Sequence, residues 1–233
     1  MASTRLGRKI MEFNHVCKSY GDRLLIHDLD YTLARTDRIG IVGPNGIGKS
    51  TILKTVAGEL PQLGGEIFYG KSLDMGYFDQ EQANLNSSNN VLNEVWNYFP
   101  TRLEKDIRTL LGNFLFTGDD VFKTVNQLSG GEKVRLKFAE LVQDDVNLLI
   151  LDEPTNHLDI RSREALEKAL AEFAGTEIFV SHDRYFINKV ANRVAELEDG
   201  ELTDFIGNYD EYREQKARSN PFSGPGGGTG PSK

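Results

Sequence analysis

The stretch Gly43-Pro-Asn-Gly-Ile-Gly-Lys-Ser-Thr51 decides the fold because of what stands on either side of it. Before it, residues 38–42 (Arg-Ile-Gly-Ile-Val) are typical of a buried strand, and after it the apolar residues of 52–57 recur at helical spacing. Its glycines allow successive backbone N–H groups to point into one concavity at the start of the helix, where they can bind an anion. The order strand, glycine-rich loop, helix therefore predicts a phosphate-binding site.

The same loop matches the pattern Gly-x-x-x-x-Gly-Lys-Ser/Thr of the P-loop. Lys49 would supply a mobile cation for the β- and γ-phosphates of a nucleotide, and Ser50 a hydroxyl for Mg²⁺. A glycine-rich turn with an exposed lysine is the alternative, which the position between strand and helix disfavours. The candidate nucleotide-binding residues are Gly43, Pro44, Asn45, Gly46, Ile47, Gly48, Lys49, Ser50 and Thr51.

A second motif ends another predicted strand, about a hundred residues further along the chain. Apart from Asn147, residues 146–151 are apolar, as in a parallel strand buried on both faces, and they are followed by Asp152 and Glu153. A carboxylate at a strand end can hold Mg²⁺, and a neighbouring carboxylate can polarise an attacking water. We therefore expect Asp152 to bind the metal and Glu153 to be catalytic.

With these residues in place, the chain from residue 10 to 206 resembles the ATP-binding cassette (ABC) ATPases. Leu128-Ser-Gly-Gly-Glu132 resembles the signature motif of that family, and Leu158-Asp159 resembles its D-loop. The resemblance implies that two cassettes pair head to tail. Ser129, Gly130 and Gly131 of each would then contact the ATP held by the P-loop of the other.

The resemblance also assigns roles to three single residues. Gln80 would bind Mg²⁺ and assist catalysis, with Gln82 as the competing choice. Tyr20 would stack on the adenine, the alternative being a core aromatic. His182 would be catalytic and hold the γ-phosphate and the attacking water, the alternative being an ordinary turn histidine.

The fold that follows is α/β: a P-loop NTPase core with a parallel sheet, an antiparallel β subdomain and a helical subdomain. Short strands are expected at 10–16, 24–26 and 29–33, helical structure from 91 to about 116, and a hairpin turning at Asp199-Gly200. The expected domain bounds are 1–9 for a leader or linker end, 10–206 for the cassette with its helical subdomain at about 83–145, 207–218 for a C-terminal helix, and 219–233 for a disordered Gly/Pro-rich tail or artificial linker.

Pro154-Thr-Asn-His-Leu-Asp159, together with Glu132, resembles the ABC-F subfamily, whose members lack membrane domains, carry two cassettes in tandem and act on ribosomes. This chain has one cassette, and the short segment between Gln80 and Ser129 fits a second cassette better than a first. The resemblance implies a cytoplasmic protein whose partners are ATP, another cassette (in a homodimer or a missing tandem half) and the ribosome or its RNA.

Composition bounds the alternatives. The formal charge of −8 argues against a dedicated nucleic-acid binder, and the longest aliphatic run, Leu148–Leu151, is too short to insert in a membrane. A single cysteine, Cys17, favours a reducing compartment. Two other functions stay open: the ATPase subunit of a membrane transporter, and an ATP-gated clamp on nucleic acid. The cations that such a clamp could use are Arg102, Lys105 and Arg108, or Lys133, Arg135 and Lys137.

Replacing Lys49 by alanine should abolish tight nucleotide binding. The change removes a charge-assisted contact to phosphate of about 1.5–3 kcal/mol, which corresponds to a loss of roughly ten- to a hundredfold. Equilibrium binding of a fluorescent ATP analogue measures it. Wild-type affinity in the variant would show that the loop is not a P-loop.

Overall fold

The computed structural model describes residues 9–79, 88–142 and 146–219. The strands are β1 (Lys9–Tyr20), β2 (Arg23–Ala34), β3 (Arg38–Val42), β4 (Gly64–Tyr69), β5 (Met75–Asp79), β6 (Leu148–Asp152), β7 (Thr176–Val180), β8 (Arg193–Glu198) and β9 (Glu201–Ile206). The helices are α1 (Lys49–Val56), α2 (Val91–Trp96), α3 (Glu104–Asn113), α4 (Gly130–Leu141), α5 (Ile160–Glu172), α6 (Arg184–Val190) and α7 (Tyr209–Ser219). Two 3₁₀ turns span Gly118–Phe122 and Val125–Gln127.

The larger sheet contains six strands in the order β5-β6-β7-β3-β8-β9. The first five in this order are parallel, and β9 pairs with β8 as an antiparallel hairpin that turns at Asp199-Gly200, as the sequence predicts. Every residue of β6 and of β7 is buried. The predicted parallel-sheet core is therefore confirmed.

A smaller antiparallel sheet has the order β2-β1-β4 and covers one face of the core. The sequence predicted two short strands at 24–26 and 29–33, but β2 runs through both. The interruption is a bulge: Lys18 pairs with Ile26 and Val16 with Leu29, while Asp28 has a φ of 52°. The polar residues between the two apolar runs thus bend one strand without ending it.

The helical stretch predicted from 91 to about 116 is divided into α2 and α3. Pro100 lies between them and disfavours helical geometry in the residue before it, so the apolar spacing continues although the helix does not. A separate apolar cluster forms here, with Val91, Val95, Ile107 and Leu111 almost fully buried. It packs this helical region onto the face of the large sheet opposite to the antiparallel sheet.

A buried arginine ties the two sheets together. Arg193 of β8 pairs with Asp37 and, at 2.8 Å, with Asp204 of β9, and its guanidinium lies 5.0 Å from the centre of the Tyr31 ring in β2. The Tyr31 hydroxyl donates to Asp204 at 2.9 Å. Since each charge has a partner, burial does not leave an uncompensated ion.

Pairing in the large sheet puts the carboxyl ends of its parallel strands at one level. Val180 is in register with Ile41 of β3 on one side and with Asp152 of β6 on the other, and Asp152 is in register with Asp79 of β5. Ligands of open parallel sheets bind at this edge. The loops that follow these strands carry nearly all the predicted site residues.

Some expectations concern residues outside the described ranges: most of the segment 1–9, Gln80 with the alternative Gln82, and the tail from 220 to 233. The polar stretch 207–218 contains most of α7. No helix within the described ranges combines the length and apolar character that crossing a bilayer requires.

Candidate nucleotide-binding and hydrolysis site

Two glycines with positive φ angles shape the loop between β3 and α1. Gly43 has a φ of 151°, and a Cβ there would lie 2.5 Å from the carbonyl oxygen of Leu197. Gly48 has a φ of 109°, and a Cβ there would lie 2.7 Å from the side chain of Leu25. Only glycine fits at either position, because the clash at Gly43 is with backbone and the one at Gly48 comes with a strained φ.

Lys49, the first residue of α1, points back into this loop. Its Nζ donates to the carbonyl oxygens of Gly43 and Pro44, both at 3.0 Å. Burial lowers the pKa of Lys49, while the nearby carboxylates of Glu153 and Asp152 act in the opposite direction. The amine is thus held at the centre of the loop by neutral acceptors that a phosphate can replace.

Asp152 is buried at the end of β6, beside Ser50. Burial raises the pKa of Asp152, whereas a hydrogen bond with Ser50 lowers it. Its Oδ1 atom is buried and has no hydrogen-bond partner within the described residues. A buried carboxylate oxygen with spare acceptor capacity, next to a hydroxyl, suits a hard cation.

Mg²⁺ fits this pair, because it is usually held by one or two carboxylates together with substrate phosphates. Within the described ranges, no group of three His, Cys, Asp or Glu side chains could hold a metal ion. Ser50 and Asp152 are the described residues that would hold Mg²⁺ together with the nucleotide. Gln80, the third metal ligand predicted from the sequence, lies outside the described residues.

Glu153 and His182 meet across the ends of β6 and β7. The Oε1 atom of Glu153 lies 3.1 Å from His182 Nε2, and its Oε2 atom accepts a hydrogen bond from the His182 backbone N–H at 3.2 Å. The backbone N–H of Glu153 donates to Val180 at 3.0 Å, and its φ is 49°. Burial raises the pKa of Glu153, and His182 opposes that rise. Such a carboxylate is placed to accept a proton.

Lys49, Ser50, Glu153 and His182 line one open cleft of about 540 Å³, and Asp152 lies beside Ser50. Tyr20, at the end of β1, lies at its edge with 74% of its surface exposed, which leaves the ring face available for stacking. The lining residues are Tyr20, Leu25, Asn45, Gly46, Gly48, Lys49, Ser50, Thr51, Glu153, Asn156, Val180 and His182. Tyr20 is thus not a core aromatic, and His182 faces the phosphate loop.

Ile47, predicted to contact the nucleotide, is buried in the apolar cluster beneath the antiparallel sheet, so its side chain anchors the loop from below. Three lining residues were missed by the sequence reasoning. Asn156 belongs to the motif 154–159, which was used only to choose a subfamily. Leu25 and Val180 carry no polar group that could have marked them in the sequence.

The signature residues lie outside this cleft. Ser129 caps α4: its hydroxyl accepts from the Glu132 N–H at 3.3 Å, and Glu132 accepts from the Ser129 N–H at 2.9 Å. Beside them, a Cβ at Gly131 would lie 3.5 Å from Asp159, the D-loop residue that caps α5. The exposed α4 N-terminus thus offers free N–H groups and a favourable dipole to an anion that its own P-loop does not hold.

Comparison with known proteins identifies this arrangement. The profile describing the ABC transporter family matches residues 26–156, more than half of the chain. The chain belongs to the ATP-binding cassette family. The ATPase assignment made from the sequence is thereby confirmed at the level of the family.

Relatives of the cassette include F-subfamily proteins, which confirms that resemblance. It is 51% identical over 211 residues to the protein YdiF of Bacillus subtilis (strain 168), covering 90% of this chain and 33% of YdiF. The chain is 41% identical over 220 residues to the energy-dependent translational throttle protein EttA of Escherichia coli (strain K12), and this match covers 92% of the chain and 40% of EttA. The chain is 42% identical over 211 residues to ABC transporter F family member 5 of Arabidopsis thaliana, and this match covers 90% of the chain and 30% of that relative. The cassette thus spans about a third of the length of these relatives.

A solved structure of the ATP-binding cassette MJ0796, a dimer in a post-hydrolysis state bound to ADP and Pi, shares the fold. Its TM-score is 0.69 at 21% sequence identity, covering 84% of this chain and 98% of that one.

Replacing Glu153 by glutamine should stop hydrolysis while ATP still binds. The amide keeps the size of the side chain but cannot accept a proton as a carboxylate does, and a positioned base contributes about 10²–10⁴-fold to rate. Single-turnover hydrolysis and analogue binding, measured side by side, test this. Near wild-type hydrolysis in the variant would remove Glu153 from its catalytic role.

Proposed function

We propose that this cassette binds Mg-ATP in the cleft at the ends of β3, β6 and β7 and hydrolyses it to ADP and phosphate. The observation that carries the proposal is that Lys49, Ser50, Glu153 and His182 line one cleft, with Asp152 beside Ser50. Each group matches a need of phosphoryl transfer: charge neutralisation, metal binding and water activation.

The chain's own residues account for the steps of the reaction. The Lys49 amine exchanges the Gly43 and Pro44 carbonyls for phosphate oxygens, which compensate its charge better. Bound Mg²⁺ would add neutralisation of the phosphate charge. Water attacks the γ-phosphorus, the bond to the β–γ bridging oxygen breaks, and ADP leaves with that electron pair. Glu153 takes the proton of the attacking water, and His182 keeps the Glu153 carboxylate oriented and can donate to a γ-phosphate oxygen.

The open side of the cleft supports a sandwich with a second cassette. Tyr20 is largely exposed, and Ser129, Gly130 and Gly131 lie outside their own cleft with an uncovered helix N-terminus. Both features suit a head-to-tail pair in which the signature of one cassette closes the site of the other. The second cassette is either another copy of this chain or the remainder of a longer protein, as the length of the relatives favours.

We further propose that the cassette acts on the ribosome, in the cytosol. The related protein EttA, named an energy-dependent translational throttle protein, supports a role in translation. One groove favours RNA as the contact. It has a volume of about 520 Å³ and lies at the amino ends of β6 and β7, away from the ATP cleft. Lys9, Arg35 and Lys71 line it, and no carboxylate does among the described residues.

Three of the six cations that the sequence suggested for nucleic acid are held by contacts within the chain. Arg108 pairs with Glu104 at 2.7 Å, Lys137 pairs with Glu140 at 3.0 Å, and Arg135 donates to a buried carbonyl oxygen. In the groove, Lys9 pairs with Glu12, but Arg35 and Lys71 have no carboxylate within 4 Å in the part of the chain described. Free cations in a groove without acids suit a phosphate backbone.

Complementation between two inactive variants tests the sandwich. Lys49→Ala removes the phosphate contact of one site and Ser129→Arg blocks the opposite site, so each homodimer is inactive. In a random mixture about half of the dimers carry one intact site, so the expected recovery is about one quarter of wild-type turnover.

The matched control mixes Lys49→Ala with Glu153→Gln. Both lesions act in the same P-loop site, so a mixed dimer has no intact site and should stay inactive. The head-to-tail arrangement is wrong if the first mixture, shown to exchange subunits, recovers nothing beyond the second.

Co-sedimentation with purified ribosomes tests the groove. With Mg-ATP and the Glu153→Gln background, Arg35→Glu/Lys71→Glu should weaken binding by about tenfold or more at physiological salt, because it reverses two phosphate contacts. The control, Lys168→Glu/Arg213→Glu, makes the same change in net charge at two exposed positions that do not line the groove and should bind as the parent does. Equal losses in both variants would show that total charge, and not the groove, controls binding.

A further inference from the structure

We propose that Arg163 is a positioning residue that holds His182 in place for hydrolysis; the inference rests on the proposed ATPase function of this site. Arg163 lies in the first turn of α5 and contacts neither Glu153 nor His182 directly. Its Nη1 atom lies 2.7 Å from Oδ2 of Asp183, the residue that follows His182. Nothing in the motifs marks this arginine, which lies beyond the D-loop.

Asp183 connects Arg163 to the segment that carries His182, because its two carboxylate oxygens make different contacts. Oδ1 caps α6 by accepting from the backbone N–H groups of Tyr185 at 3.0 Å and Phe186 at 3.2 Å. Oδ2 is buried and accepts no hydrogen bond within the described residues, and its ionic partner there is the Arg163 guanidinium. Arg163 therefore compensates a buried charge located one residue from the catalytic histidine.

His182 itself has few restraints. Its side chain is 59% exposed, and its contacts among the described residues are both with Glu153. Its place is therefore set by the residues on either side. Ser181 Oγ lies 3.2 Å from Thr155 Oγ1 and accepts from the Asp183 N–H at 3.1 Å, and Asp183 is fixed by Arg163. Loss of the Arg163 contact frees one of the two anchors.

The chain offers a matched control in a second ion pair between the same two helices. Lys189 of α6 lies 2.7 Å from Glu167 of α5, the same distance as in the first pair. Lys189 is six residues after Asp183, about 9 Å further along the helix axis. Both pairs tie α5 to α6, but only the first lies beside His182. A general role in helix packing would make the two pairs equivalent.

The test compares Arg163→Met with Lys189→Met. We expect Arg163→Met to lower kcat by about ten- to a hundredfold with KM for ATP within about twofold, because small displacements of a reacting group cost that much. Lys189→Met should leave kcat within about twofold. Arg163→Lys should recover part of the rate, since it restores a cation at Asp183. Equal kcat losses in both methionine variants, matched by equal losses in thermal midpoint, would overturn the proposal.

A double-mutant cycle separates positioning from packing. If Arg163 acts through His182, then Arg163→Met should have little further effect on single-turnover hydrolysis in a His182→Ala background. Full additivity of the two losses would contradict the proposal. Should Arg163→Met fail to fold, Arg163→Gln serves in its place, because its neutral amide also removes the cation at Asp183 while keeping a polar side chain there.

A readout without nucleotide keeps this inference distinct from the function it rests on. Histidine-selective NMR, with the His182 ring signal assigned by His182→Gln, should show that signal shifted or broadened by Arg163→Met and unchanged by Lys189→Met. An unmoved His182 signal in Arg163→Met overturns the inference even if ATP is hydrolysed. Absence of hydrolysis in the wild type, with the signal moving as expected, contradicts only the proposed function.

Discussion

The site depends on two strands, β6 and β7, that are buried on both faces. The positions of their carboxyl ends determine where the residues of the proposed reaction lie. All ten residues of these strands are buried. A shift of either strand by one residue would therefore turn its apolar side chains to the opposite face of the sheet and disrupt the packing on both faces. That register places Asp152 opposite Val180, and Val180 opposite Ile41. The Asp152 carboxylate, the loop to His182 and the loop from Gly43 to Gly48 consequently start side by side.

The same burial makes one residue of β7 unusual. Glu177 is fully buried, and burial raises its pKa to about 8, although Arg38 at 3.7 Å opposes the shift. The carboxyl group is therefore mostly neutral at neutral pH, and the strand avoids the cost of an isolated ion in its interior. This carboxyl group lies at the amino end of the strand, at the opposite end from Glu153 and His182.

The sequence was sufficient where chemistry and periodicity coincide. The P-loop, the run into Asp152-Glu153 and the parallel core follow from residue type and order alone, and the structure agrees. The bulge in β2, the division of the helical region at Pro100 and the inward side chain of Ile47 depend on packing between distant segments. Leu25 and Val180 show the same limit within the site, because an aliphatic wall of a cleft looks like any other core position in the sequence.

The resting contacts of Lys49 have a consequence for how tightly this cassette can hold a nucleotide. The Lys49 amine already donates hydrogen bonds to two backbone carbonyl oxygens, inside a loop whose shape depends on two glycines. Binding is then an exchange of neutral acceptors for anionic ones within a preorganised cradle, and little side-chain entropy remains to be lost. Because the carbonyls stay in place when the nucleotide leaves, the reverse exchange is equally direct. Such a loop can load and unload repeatedly without refolding between cycles.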